Sequence, residues 1–217
     1  MKSPLLFLSI LPFIFMSSCN QPKDEIKAST FGDDVSFLRQ YTSIITLTSP
    51  DGNGKVALSP SLQGRVMTST ALGDEGMSFG WINKDLFTSR DTLPHMNPFG
   101  GEERFWLGPE GGQFALYFKQ GDPFDFDHWQ TPALIDTEPF EVLSQSDTSV
   151  VFRKEAKLTN YAGFEFKFSI RREIKILPIK GRGVSGVAYQ SINTLTNIGD
   201  KAWSKETGLL SIWLLGM

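Results

Sequence analysis

The chain has one cysteine, two histidines and no surplus of positive charge among its 217 residues, and each shortage removes a class of function. A lone cysteine leaves nothing to pair with inside the chain, so no disulfide framework is available to a protein that would meet an oxidising compartment. Cysteine–histidine zinc spacing is absent, as are a serine nucleophile elbow, a phosphate-binding glycine loop and a dinucleotide fingerprint. The formal charge is −3. Without residues 1–18, 20 basic groups face 24 acidic ones, so no electrostatic footprint for nucleic acid remains. The chain also lacks a spanning segment. Its longest apolar run, residues 5–15, is well short of the about 20 residues that a membrane helix needs.

That run has another use. Lys2 gives a positive start, residues 5–15 are of signal-peptide length, and Met16, Ser17 and Ser18 lead into Cys19. The pattern resembles a bacterial lipoprotein signal with its lipobox. The resemblance implies that residues 1–18 are removed and that Cys19 is acylated as the new N-terminus, holding the protein to a membrane through lipid. The alternative is an export signal cleaved elsewhere beside a chance cysteine. Residues 19–30 are polar and suit a flexible tether. Lys23-Asp24-Glu25 within them resembles the surface-export signal of some Gram-negative lipoproteins. The expected location is the cell envelope, on the periplasmic or surface face of the outer membrane.

Eighteen phenylalanines and five tryptophans make the apolar content aromatic, which favours sheets over helices. One helix is expected, starting at Asp33-Asp34 and carrying Val35, Phe37, Leu38 and Tyr41. Strands are expected at residues 44–48 and 55–58 around the turn Pro50-Asp51-Gly52-Asn53-Gly54, then at 65–72. Residues 150–158 and 164–177 read as a second hairpin, followed by strands at 187–195 and 209–215. In residues 164–177, Phe164, Phe166, Phe168, Ile170, Ile174 and Ile176 alternate onto one face, and Arg172 falls on that same face. Arg172 marks either a buried, paired arginine or a bulge that resets the register, and the bulge is preferred. The apolar strand at residues 209–215 has no closing turn after it, which suggests that residues 31–217 are the N-terminal part of a larger domain.

Residues 97–114 concentrate turn glycines, carboxylates, an arginine and a tryptophan. If residues 102–107 are extended, Glu102, Arg104 and Trp106 share one face, while Glu103, Phe105 and Leu107 share the other. Charged groups that take paired hydroxyls beside an aromatic face are a common way to hold a sugar. The structural alternative is a hairpin whose second strand is residues 113–118, with Trp106 in the core.

Residues 58–69, the Gly80-Trp81-Ile82-Asn83 stretch and residues 97–114 together resemble a family of exported bacterial lipoproteins of unknown function. That family is similar to the galactose mutarotase-like superfamily. The resemblance implies a mainly β, antiparallel β-supersandwich that binds carbohydrate on a concave face. It points to Glu102, Arg104, Trp106 and Glu110 as ligand contacts, with Arg65, Trp81 and Asn83 behind them. Mutarotases use a glutamate base and a histidine acid. The glutamate lies late in that fold and has no counterpart here, and of His95 and His128 the second is the better acid, flanked by Asp127 and Trp129. A histidine with no role in a surface loop is the alternative. Asp122, Asp125 and Asp127 suggest calcium but lack the glycine and distal glutamate of a calcium loop, so no metal site is expected. No cofactor is expected either. The expected partners are a carbohydrate and a membrane. An aldose epimerase-like enzyme and a non-catalytic structural lipoprotein are the other functions that the sequence leaves open.

Overall fold

A computed structural model of the chain describes residues 29–179, 181, 183 and 185–216. The signal, Cys19 and the tether up to residue 28 lie outside the described residues.

The first helix, α1 (Phe31–Leu38), begins one turn earlier than the acidic pair suggested. Thr30 is its cap, with Oγ1 accepting from the Asp33 N–H at 3.1 Å, and Asp33 and Asp34 sit in the first turn, where the helix dipole favours negative charge. Phe31, Val35 and Leu38 recur at helical spacing and are buried together.

Nine strands follow: β1 (Ile45–Thr48), β2 (Lys55–Ser59), β3 (Arg65–Thr70), β4 (Glu103–Gly108), β5 (Glu141–Gln145), β6 (Ser149–Thr159), β7 (Glu165–Leu177), β8 (Ala188–Asn197) and β9 (Ser211–Gly216). They form two antiparallel sheets, β1-β2-β3-β4-β9 and β5-β6-β7-β8. The fold is mainly β, and among the described residues the strands form no closed barrel. Leu47, Val56, Leu58, Val66, Phe105 and Leu107 from the first sheet share one core with Val150, Phe152, Phe166, Phe168, Ile170 and Ile174 from the second. Among the described residues no helix is long and apolar enough to cross a membrane.

Three expectations are corrected. Residues 113–118 are not a strand. Turns and bends occupy residues 111–118, and β4 pairs instead with β9, from Glu103↔Gly216 to Gly108↔Ser211. A second helix, α2 (Lys84–Ser89), occupies what reads as a polar loop, capped by Asn83 through its Oδ1 and the Leu86 N–H at 3.1 Å. Nor is there a bulge at Arg172: β6 and β7 pair without a slip from Ser149↔Lys175 to Thr159↔Glu165. Arg172 is fully buried and paired. Its Nη2 donates to Glu103 Oε1 at 2.6 Å, Nη1 to Asn193 Oδ1 at 2.9 Å and Nε to the Gly64 carbonyl at 3.2 Å.

This arrangement predicts asymmetric mutational costs. Glu103→Leu leaves the Arg172 guanidinium buried without its carboxylate and is expected to cost about 3–5 kcal/mol. Glu103→Leu with Arg172→Met replaces the pair by apolar groups and is expected to recover most of that loss. Urea unfolding of the two variants checks it: equal midpoints would contradict the pairing.

Candidate functional site

Along β4 the side chains alternate as the sequence implied. Glu103, Phe105 and Leu107 meet the second sheet or the core, while Arg104 and Trp106 point the other way. Arg104 Nη2 donates to Asp136 Oδ1 at 2.7 Å and to the Ile135 carbonyl at 3.0 Å, and its guanidinium lies 4.3 Å from the Trp106 ring. Trp106 Nε1 donates to Glu110 Oε1 at 2.6 Å. Asp136 also accepts from Asn97, whose Nδ2 is 2.7 Å away. Arg104 and Trp106 are only 3% and 2% exposed, so they face one another and the loop at Asp136 rather than open solvent. Burial pulls the Arg104 guanidinium down from its ordinary range, and Asp136 opposes the shift.

Glu102 does not join that face. It precedes the strand and turns to β3, accepting from the Ser69 N–H and from Ser69 Oγ at 2.9 Å. Burial pushes its carboxyl above the ordinary 4.5, against the Ser69 hydrogen bonds. Arg65 is buried as well, donating from Nη1 to the Gly100 carbonyl at 3.1 Å. Burial, aided by the nearby Arg104 charge, pulls it down to about 9, so it remains a cation at neutral pH. Asn83 spends both ends of its amide, on the α2 cap and on the Pro98 carbonyl at 3.1 Å. Trp81 stands apart on the surface, 57% exposed.

The open space is elsewhere, on the loops beyond β4. A cleft of about 650 Å³ is lined by Tyr117, Gln120, Asp122, Asp127, His128 and Asn160, among others. Its wall is held from behind by aromatic packing: the Trp106 and Tyr117 ring centroids are 5.6 Å apart, Tyr117 and Trp129 stack at 5.4 Å, and Trp129 and Phe126 stack at 6.4 Å. Tyr117 OH donates to the Leu107 carbonyl at 2.7 Å, fixing this stack to β4. The Gln130 N–H donates to the Tyr117 carbonyl at 2.8 Å, and Tyr161 OH to the Asp122 carbonyl at 3.0 Å. An otherwise irregular segment is thereby pinned at both ends. The lining side chains that are exposed or half-buried, Phe118, Gln120, Asp122, Asp127 and His128, join an aromatic ring to carboxylates, an amide and an imidazole, the groups that hold polyhydroxylated ligands.

His128 is the titratable group best placed in the cleft. Asp125 caps its 3-10 turn (Phe126–His128), accepting from the His128 N–H at 3.1 Å, and meets the imidazole Nδ1 at 2.6 Å. Of the three aspartates in the sequence pattern, Asp122 and Asp127 line the cleft while Asp125 is engaged with His128. Among the described residues no group of three or more His, Cys, Asp or Glu side chains is placed to hold a metal ion.

The structure therefore separates the residues singled out in the sequence. Arg104, Trp106 and Glu110 lie together behind the wall, Glu102 and Arg65 go to β3 and its neighbours, and Asn83 and Trp81 lie elsewhere. His128 lines the cleft. Sequence reasoning missed Phe118 and Gln120 as cleft-lining residues. Their signal was the density of aromatics across residues 114–129, which reads as a strand followed by a loop but packs as a stack.

A family model described as a family of unknown function (DUF6786) matches residues 29–217. No curated protein and no solved structure matches the chain.

The Asp125–His128 contact has a measurable consequence. The Asp125 hydrogen bond raises the His128 imidazole above its ordinary 6.5, so its contribution to stability is present below 6.5 and is lost as pH rises through the raised midpoint. NMR titration of the two histidines should place His128 above 6.5, and Asp125→Asn should bring it down. No change on that substitution would refute the assignment.

Proposed function

The chain belongs to that family of unknown function, and we propose that it is a lipid-anchored protein of the cell envelope whose β-sandwich binds carbohydrate in the cleft beside His128. The observation that carries the reading is the cleft itself, where the half-buried Phe118 lines a space of about 650 Å³ together with Gln120, Asp122, Asp127 and His128. Sugars present hydroxyls around the ring edge and C–H groups on its faces, so they need both kinds of wall. The resemblance of residues 58–69, 80–83 and 97–114 to mutarotase-like proteins agrees with this ligand class. In this reading Arg104, Trp106 and Glu110 support the site and do not touch the sugar. The pattern at residues 1–19 supports attachment through lipid on Cys19.

One observation favours a catalytic version. The His128 imidazole, whose protonated form the Asp125 hydrogen bond favours, suits a general acid. Asp122 and Asp127, which share the cleft, are carboxylates of the kind that serve as a base. Polarimetry on freshly dissolved α-glucose or α-galactose separates the versions, because ring opening at the rate of buffer alone rejects the catalytic one.

Binding is tested by isothermal titration of the full chain against a panel of mono- and oligosaccharides. At least one should bind, and Asp127→Ala should weaken it by roughly tenfold or more, as expected for losing a hydrogen bond to a charged group of about 1.5–3 kcal/mol. Absence of heat across the whole panel would overturn the carbohydrate reading.

A further inference from the structure

Between Met77 and Trp81 the usual burial pattern is inverted. Met77, Phe79 and Trp81 are 55%, 47% and 57% exposed, while Ser78 and Gly80 between them turn inward. The segment is held at both ends by isolated bridges, Thr30↔Met77 and Ile82↔Gly100. Its middle is fixed to β3, with the Phe79 N–H donating to the Ser69 carbonyl at 3.0 Å and Ser78 Oγ lying 2.6 Å from Thr68 Oγ1. The register cannot slip by one residue, because a Cβ at position 80 would lie 2.1 Å from the Met67 carbonyl oxygen. The three large apolar side chains are therefore forced outward together as a stripe. Leu72, also exposed, lies nearby: a Cβ on Gly76 would stand 2.9 Å from its own Cβ.

The stripe lies where the chain enters the domain. The Ser78 N–H donates to the Ser29 carbonyl at 3.0 Å, and Thr30 is the bridge partner of Met77. Ser29 lies ten residue steps after Cys19, and a fully extended chain of that length reaches at most about 35 Å. A lipid on Cys19 would thus hold this corner of the domain close to the bilayer. Tryptophan, phenylalanine and methionine have the amphipathic or soft apolar character that partitions into the headgroup boundary. The charges around the stripe do not suit an anionic surface. Asp74 and Glu75 are exposed, and Lys84 is drawn to Asp34 at 2.7 Å.

We infer that Met77, Phe79 and Trp81 form a membrane-contact stripe that seats the domain on the interface of a zwitterionic bilayer, adding a second, apolar attachment to the lipid on Cys19. The inference rests on the lipid-anchor reading of Cys19 and is independent of the carbohydrate cleft. The occupant is the bilayer and not a protein, because the tether positions the stripe there without any partner.

The full-length protein, purified with its N-terminal modification, would be reconstituted on phosphatidylcholine vesicles carrying bromine at shallow acyl positions. Flotation reads the anchor, and quenching of tryptophan emission reads the stripe. The expected result is flotation that Cys19→Ala abolishes, together with quenching that Trp81→Phe reduces and that added salt leaves unchanged. Flotation with quenching equal in wild type and Trp81→Phe overturns the stripe and keeps the anchor; a protein partner would give this result. Loss of flotation in the unsubstituted protein overturns both. An unchanged near-ultraviolet circular dichroism thermal midpoint for Trp81→Phe confirms that the variant is folded.

Discussion

A guanidinium removed from water costs several kcal/mol unless its N–H groups find partners, and the two sheets of this protein meet around one that does. Arg172 on β7 reaches across the sandwich to the turn before β3 and to the first residue of β4, while holding Asn193 on its own neighbour β8. Glu103 is the β4 residue that pairs with Val66 on β3, and Gly64 lies two residues before Val66. A shift of either sheet by one residue would strand the charge, so the hydrophobic face of β7 and the ion pair specify the same register. The apolar core supplies the driving force, and Arg172 supplies the alignment.

Two further guanidiniums are buried on the first sheet, and they are satisfied unequally. Arg104 has a full carboxylate in Asp136, which Asn97 also holds, so the pairing ties β4 to the loop around residues 133–137. Arg65 has only the Gly100 carbonyl and a long contact to Gln63. Burial, aided by the Arg104 charge, lowers its pKa, and the Asp136 charge offsets part of the shift. One aspartate therefore holds Arg104 and Asn97 and moderates the field at Arg65.

How much of this was legible follows from where periodicity and packing agree. Strand β7 was readable because β-branched and aromatic residues alternate and one face is buried along its length. Arg172 broke that pattern only in chemistry, and nothing in a single sequence names Glu103 as its partner 69 positions away. Residues 113–118 alternate as well, but Tyr117 packs on the rings of residues 106 and 129 and Phe118 on that of residue 124, so period two misled. The second helix was hidden by its length: six residues give little more than one turn of pattern. Asn83 looked like a ligand because caps and sugar sites draw on the same amide chemistry.

The stretch at residues 97–104 explains why the cleft and the exposed stripe belong to one design. Asn97 binds Asp136 on the cleft side, and four residues later the Gly101 N–H donates to the Trp81 carbonyl at 2.8 Å on the stripe side. Gly100 makes this passage possible: its φ is +89°, and a Cβ there would lie 2.2 Å from the Trp81 carbonyl oxygen. Glu102 and Glu103 then divide, one to Ser69 on β3 and the other to Arg172 on the opposite sheet. A motif that reads in sequence as a compact sugar site is, in the fold, a junction. Its polar residues are consumed in holding two outer surfaces in place, and the groups left free to meet a ligand or a lipid are those it positions.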